Sequence, residues 1–276
     1  MAERILITGA AGRIGAMLRQ RMPRRGRLLR LLDAVPLDGD SGAAADVDAE
    51  GAVEIVRADV TDAAAVERAC RDVDAVVHLA ALPGEAPWPD VLHANIHGTY
   101  TVLEAARRAG VPRVVLASSN HAVGFHPLAD GVGDYAFPRP DTFYGVSKVT
   151  GEALGSLYHD RYGMHVLCLR IGSATERPRN LRELETWLSP EDCARLVEAM
   201  LAAQEPGFRV VWGVSANSRG RFSLREALEL GYRPQDDAER YRHLIAGEVR
   251  SDEDVVGGPW ARRDAGPDTP RDAGDP

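Results

Sequence analysis

The stretch RILITGAAGRIG, residues 4–15, leaves few folds open. A short apolar run ends in a turn carrying Gly9 and Gly12, and Gly15 follows in what reads as the first turn of a helix. Without a Cβ at Gly9 and Gly12 the backbone can come close to a pyrophosphate, and at Gly15 the helix can pack closely on the strand. The helix N-terminus, at Arg13 and Ile14, offers free N–H groups to an anion. Asp33 closes the next apolar run, where a carboxylate hydrogen-bonds ribose hydroxyls. The spacing predicts a dinucleotide site. A carboxylate there repels the 2′-phosphate of NADP, so NAD is the expected cofactor.

Runs rich in Val, Ile and Leu recur at 4–9, 28–34, 53–60, 75–81, 113–119, 165–172 and 208–214. Each is nearly continuous in apolar residues, as expected of strands buried on both faces of a parallel sheet. Helical stretches lie between them. Thr61 or Asp62 can cap AAAVERACRD, VLHANIHGTYTVLEAARRAG closes on Gly110, and YGVSKVTGEALGSLYHDRYG forms a third. The alternation predicts an α/β fold, a Rossmann-type doubly wound parallel sheet of about seven strands flanked by helices. Further on, Ser189-Pro190-Glu191-Asp192 reads as a helix start, and Ser223 with Glu226 as a capping box.

At 45% hydrophobic and 27% charged residues the composition is that of an ordinary soluble protein. Its longest apolar runs, such as AVVHLAAL at 75–82, fall far short of the roughly 20 residues a membrane span needs. No apolar signal segment precedes RILITG, so no membrane partner and a cytoplasmic location are expected. Cys70, Cys168 and Cys193 form no CxxC pair and read as buried thiols. The net charge is −8, and half of that imbalance sits in residues 247–276, which hold eight acidic and four basic side chains. That stretch is rich in Gly, Pro and Asp, has no sustained apolar period, and is expected to be a disordered acidic tail. No basic stripe with interleaved aromatics appears, which argues against a nucleic-acid partner.

Tyr144-Gly-Val-Ser-Lys148 carries the chemistry. Four-residue spacing on a helix puts the phenol and the ammonium on one face, where the cation can stabilise a phenolate. Lowering a tyrosine from about 10 to about 7 takes roughly 4 kcal/mol, which Lys148, a positive nicotinamide and ribose hydroxyls together could supply. The result would be a general base near neutral pH. Ser118 and Ser119 end the preceding strand, and sequence alone does not separate them. At the other strand ends Asp59-Val60 can reach an adenine, and Leu79-Ala80-Ala81 offer small side chains beside a cofactor; plain strand-end chemistry explains Asp59 equally well. His93 and His97 have a metal-pair spacing but no third ligand beside them, so no metal is expected. No G-x-S-x-G elbow supports a hydrolase. Trp187 and Trp212 read as packing residues.

TGAAGRIG, Asp59, HLAA, Asn95, ASSN and YGVSK, in that order over roughly the first 170 residues, resemble the extended short-chain dehydrogenase/reductases, the NAD-dependent epimerase/dehydratases. More narrowly, ASSNHAVGFHP (117–127), FYGVSK (143–148), RIGS (170–173), NLRELETWLS (180–189) and VVWGVSAN (210–217) are similar to bacterial uronate dehydrogenases, up to about residue 246. The resemblance implies oxidation of D-glucuronate or D-galacturonate at C1 to an aldarolactone, with NAD as hydride acceptor. It implies that Tyr144 is the base, that Ser119 rather than Ser118 binds the reacting oxygen, and that Lys148 binds the cofactor ribose. Asn95 is implied at the cofactor, and Asn120, His121 and Ser173 at sugar hydroxyls; a loop histidine bonded to backbone is the alternative for His121. It further implies that Arg182 clamps the carboxylate, leaving Arg177 and Arg179 as bystanders. It also implies a homo-oligomer.

One departure stands out: relatives commonly place a substrate-contacting serine after the fourth strand, where this chain reads Ala81-Leu82-Pro83-Gly84. Residues 1–171 are thus expected to bind NAD and carry the catalytic helix, and 172–246 to pack a small substrate-binding appendage on the same domain. The competing readings are a nucleotide-sugar epimerase or dehydratase and a non-catalytic NAD-sensing protein. The short remainder after the seventh run speaks against the first, and the intact Tyr144–Lys148 pair against the second.

Overall fold

The computed structural model describes residues 3–37, 51–129, 131–247 and 255–261. Seven parallel strands form one sheet: β1 (Glu3–Thr8), β2 (Arg27–Asp33), β3 (Ala52–Arg57), β4 (Ala75–His78), β5 (Arg113–Ser119), β6 (His165–Ile171) and β9 (Phe208–Gly213). Their order is β3-β2-β1-β4-β5-β6-β9, so the chain reverses its direction of travel between β1 and β4. In doubly wound sheets ligands bind at that reversal, beyond the carboxyl ends of the strands. β7 (Ser173–Ala174) and β8 (Trp187–Leu188) pair separately.

Alternate residues of the strands feed two apolar layers. Ile5 and Ile7 pack with Met17 and Leu18 of α1 (Arg13–Arg21) and with Leu196 and Met200 of α7 (Pro190–Ala202). Leu6, Val76 and Val114 pack on the opposite face with Val66, Val102 and Tyr158, from α2 (Ala63–Ala69), α4 (Gly98–Arg108) and α5 (Phe143–Tyr162). Burial on both faces is why the strands read as unbroken apolar runs. Asp62 caps α2, Thr142 caps α5 and Ser189 caps α7, each through a side-chain oxygen that accepts a first-turn N–H. α5 closes on Gly163 at φ +70°, a left-handed cap that glycine adopts without strain.

The capping box at Ser223 does not form. α8 (Arg225–Glu229) starts after Leu224 without a side-chain cap; the Ser223 hydroxyl hydrogen-bonds Asp134, and Glu226 pairs with Arg209 and Arg225. Buried Asp134 and the two arginines claim the side chains the box needs, and within the turn Ser223 Oγ accepts only from Arg225 N at 3.2 Å. Neither does the disordered reading hold throughout 247–276. Val255–Ala261 folds back on the body: Val255 bridges Pro127 in antiparallel fashion, Val256 is fully buried, and Gly257 N donates to Gly124 O at 2.8 Å. A single buried valine and a few backbone hydrogen bonds have no periodic signature, so composition hid the segment. The rest of that stretch, 248–254 and 262–276, lies outside the described residues.

Candidate active site

The glycine turn is shaped by two contacts. Gly9 has φ +71°, and a Cβ there would stand 2.6 Å from Ala80 N at the end of β4. At Gly15 a Cβ would meet Gly9 O at 2.4 Å. Gly12 is the exposed one, touched only by Gly9 O at 3.2 Å, so the close approach of an anion belongs to Gly12 and the other two build the turn. Gly12 caps α1 without a side chain, leaving the first-turn N–H groups at Arg13 and Ile14 without a side-chain acceptor.

The Asp33 carboxylate accepts from Ala11 N through one oxygen and from Val35 N through the other, both at 2.9 Å. Each oxygen keeps lone pairs for a ribose. A dinucleotide fits this cradle. Asp59 is exposed, and one of its oxygens accepts the Thr61 N–H and hydroxyl at 2.8 Å, which hold its carboxyl below the usual range. Val60 is buried in the sheet–helix layer, whereas Leu79, Ala80 and Ala81 are half-buried at the end of β4.

α3 (Trp88–Val91) runs through a π-helical stretch, Leu92–His97, into α4. π-Turns inside helices are frequent at functional sites. Asn95 lies in this one: its side chain accepts from Leu82 N at 2.7 Å and donates to Leu82 O and to Ser147 Oγ. It ties the loop after β4 to α5. His93 and His97 stack at 6.0 Å, and among the described residues no three His, Cys, Asp or Glu side chains cluster as metal ligands.

Beside the Thr142 cap, Glu85 accepts from the backbone of Phe143 and Tyr144 at 3.2 Å each, a second anchor for the start of α5. Tyr144 is half-buried and hydrogen-bonded to Ser119. Lys148 Nζ stands 5.2 Å from the Tyr144 ring centroid and donates to Ala117 O at 2.9 Å. Burial pushes the Tyr144 hydroxyl up to about 12, with the Ser119 hydrogen bond acting the other way, and burial brings Lys148 down to about 8. The protein alone therefore does not produce the near-neutral phenolate expected from the spacing, because desolvation outweighs the local donors. Behind Lys148, His78 hydrogen-bonds Thr8 and Thr99, and burial lowers it to about 3, so it is neutral at physiological pH.

The two serines have separate tasks. Ser118 Oγ donates to Glu152 at 2.6 Å, and Glu152 meets Arg170 through two hydrogen bonds of 2.8 and 2.7 Å, all three being buried. Ser119 instead faces Asn120 and Tyr144. Ser119→Ala should cut kcat by about 100- to 1,000-fold, the range of one lost polar contact in a transition state. Ser118→Ala should leave kcat within about threefold and lower thermal stability, since it removes a donor from a buried carboxylate. Steady-state rates and a melting curve on both variants check this.

His121 follows on the 3-10 turn Asn120–Val123. Its Nδ1 lies 2.9 Å from the fully buried carboxylate of Asp141, and its ring makes edge contacts with Tyr144 at 6.0 Å and Trp260 at 6.3 Å. Asn120 Nδ2 donates to Val256 O at 3.2 Å. Arg182 Nη2 donates to the same oxygen at 2.9 Å, so the arginine stands beside the Ser119–His121 loop. Ser173 Oγ pairs with Thr186 at 2.9 Å. Arg179 pairs with buried Glu183, and Arg177 is exposed. Trp187 and Trp212 are fully buried. Sequence reasoning missed Glu85, Asp141 and Val255–Trp260; an acid shortly before Tyr144 was the one local signal, and only for Asp141.

The model of the NAD dependent epimerase/dehydratase family matches residues 5–182. The chain belongs to this family. Within the family it is 41% identical over 243 residues, 88% of each chain, to a uronate dehydrogenase of Agrobacterium fabrum. It is 38% identical to an NAD-dependent glucose-6-phosphate dehydrogenase of Haloferax volcanii, over 87% of this chain and 96% of that one. A solved uronate dehydrogenase of Agrobacterium tumefaciens, a tyrosine-to-alanine mutant complexed with NAD, superimposes with a TM-score of 0.86 at 38% identity, covering 95% of this chain and 97% of that one. Relatives at similar identity are thus named for a uronate and for glucose 6-phosphate, and another of Haloferax volcanii, 38% identical over 85% of this chain and 97% of that one, is named for the neutral sugar L-arabinose.

Proposed function

We propose that the protein oxidises cyclic D-glucuronate and D-galacturonate at C1 to the aldarolactone, with NAD as acceptor. The observation that carries this reading is the meeting of Arg182 with Asn120 on one carbonyl, beside the Ser119–Tyr144–Lys148 group. A guanidinium there matches a sugar carboxylate at the far end from the reacting carbon.

Gly12, the N–H groups of Arg13 and Ile14, Asp33 and Lys148 would hold NAD, with Asp59, Val60, Leu79, Ala80, Ala81 and Asn95 lining or supporting its bed. When bound, NAD supplies the hydride acceptor. Ser119 holds the C1 hydroxyl, Tyr144 takes its proton, and the departing hydride leaves C1 as the lactone carbonyl. Lys148 supports the phenolate. Asn120, His121 and Ser173 orient the sugar hydroxyls, while Arg182 fixes the carboxylate. Pro83 offers no hydroxyl and no N–H, so a hydrogen bond that relatives draw from a serine comes from elsewhere or is absent.

The test is NADH absorbance with glucuronate, galacturonate, glucose, glucose 6-phosphate and a nucleotide-sugar. Uronates should exceed glucose in kcat/KM by about 100-fold or more, the value of a charge-assisted contact. Equal turnover of glucose and glucuronate would sink the uronate reading. Preference for glucose 6-phosphate would move it to a phosphorylated aldose, which an arginine binds equally well.

A homo-oligomer is part of the same proposal. Leu92 before α4 and Tyr100 on it, with Leu157 and Tyr162 on neighbouring α5, are large exposed side chains that a second copy can cover. No helix among the described residues is long and apolar enough to cross a membrane. Free Cys70, Cys168 and Cys193 suit a reducing cytoplasm.

A further inference from the structure

We infer that Val255–Trp260 is a working part of the substrate site, in which Val256 O positions Arg182 and Asn120 and Trp260 walls the sugar beside His121; this rests on the reading of a C1 sugar dehydrogenase given above. The segment is anchored from three sides. Val256 is fully buried against Val123, Trp212 and Phe222. Its N–H donates to His126 O at 2.9 Å, and Gly257 N donates to Gly124 O at 2.8 Å. A turn closed by Gly258 N on Val255 O at 3.0 Å then carries the chain to Trp260.

The anchorage converges on the groups that meet substrate. Val256 O has two lone pairs and accepts from both Asn120 and Arg182, at 3.2 and 2.9 Å. Those two side chains come from elements more than 60 residues apart in sequence, and the carbonyl fixes their separation. Gly257 makes room for the partner of His121: a Cβ on it would lie 1.7 Å from an Asp141 carboxylate oxygen, and one on Gly124 would lie 2.1 Å from the same carboxyl carbon. Trp260 then meets the His121 ring edge-on at 6.3 Å with 84° between the planes, and is itself only half-buried. A half-exposed indole standing on an active-site histidine is suited to cover the apolar face of a sugar ring. A segment serving stability alone would need Val256 but neither Trp260 nor the shared carbonyl.

Three variants of the full chain test this. Trp260→Ala should raise KM for the uronate about 10- to 50-fold while kcat changes less than about threefold, the signature of lost positioning and not of lost chemistry. Trp260→Phe should restore most of the affinity. Gly257→Ala, which drives the segment off Asp141, should raise KM at least as much as Trp260→Ala and weaken discrimination between glucuronate and glucose. NADH binding, followed by its fluorescence, should be unchanged in all three. An unaltered KM in Trp260→Ala, or equal losses in Trp260→Ala and Trp260→Phe, would overturn the inference. Should Gly257→Ala fail to fold, the Trp260 pair still decides, because a half-exposed side chain leaves no core cavity when shortened. If the wild-type protein oxidises a different aldose at C1, the uronate reading falls, and the same KM comparison is made with that aldose.

Discussion

Replacing Tyr144 by phenylalanine is expected to lower kcat about 1,000-fold or more while leaving the affinity for NADH within about threefold, as the loss of a positioned general base does. The ring and its contacts with His121 and Lys148 survive in phenylalanine; only the hydroxyl is removed. Because burial holds that hydroxyl at about 12 in the protein alone, the phenolate is a minority form at neutral pH. Below such a pKa the deprotonated fraction grows with pH, so kcat/KM of the wild-type protein should rise from pH 6 until Lys148, held at about 8, loses the charge that supports the phenolate. In Tyr144→Phe this rise should vanish. Stopped-flow or steady-state NADH formation between pH 6 and 9 checks both statements, and a variant within tenfold of wild type would remove Tyr144 from the role of base.

Removing Arg182 should act on the substrate and removing Arg179 on the fold. Arg182→Ala is expected to raise KM for uronates by about 100-fold or more, the loss of roughly 3 kcal/mol in charge-assisted hydrogen bonds, with little effect on a neutral aldose. Arg182→Lys should recover only part of this, since an ammonium cannot present a planar fork. Arg179 makes hydrogen bonds of 3.1 and 2.8 Å to Glu183, whose side chain is 3% exposed. Arg179→Ala therefore leaves a buried carboxylate with the Arg179 backbone N–H, Asn180 and Thr175 as its donors. A stability loss of about 1–3 kcal/mol is expected, with KM for uronates within about twofold. Equal rises in KM for the two alanine variants would defeat the assignment of Arg182. The three arginines of GSATERPRNLRELETW thus divide into exposed Arg177, Arg179 held on Glu183, and Arg182, the proposed clamp for the carboxylate.

The parts of the molecule legible in the sequence are those set by short, regular spacing. Gly9, Gly12 and Gly15 on a strand–turn–helix, Asp33 at the end of β2, and the helical interval from Tyr144 to Lys148 are all local patterns, and seven doubly buried strands announce themselves as apolar runs. What escaped is held by contacts between distant segments. Glu85 reaches the start of α5 across 58 and 59 residues, and Val256 O reaches Asn120 across 136. The capping box at Ser223 looked sound as a local motif and lost to Asp134 and Arg209, partners that only the folded chain brings near. The division between Ser118 and Ser119 is of the same kind: both end β5, and it takes the buried Glu152–Arg170 pair to claim one of them.

Tyr144, Lys148 and Glu152 stand four residues apart along α5, and the third is bolted to β6 through Arg170 while the first two are the proposed catalytic pair. A rotation of the helix that spoiled the reach of Tyr144 would also tear a buried ion pair apart. Mutations that loosen catalysis by turning this helix are for that reason visible in a melting curve, and a library screened only for heat resistance keeps the reactive geometry without ever being assayed for it.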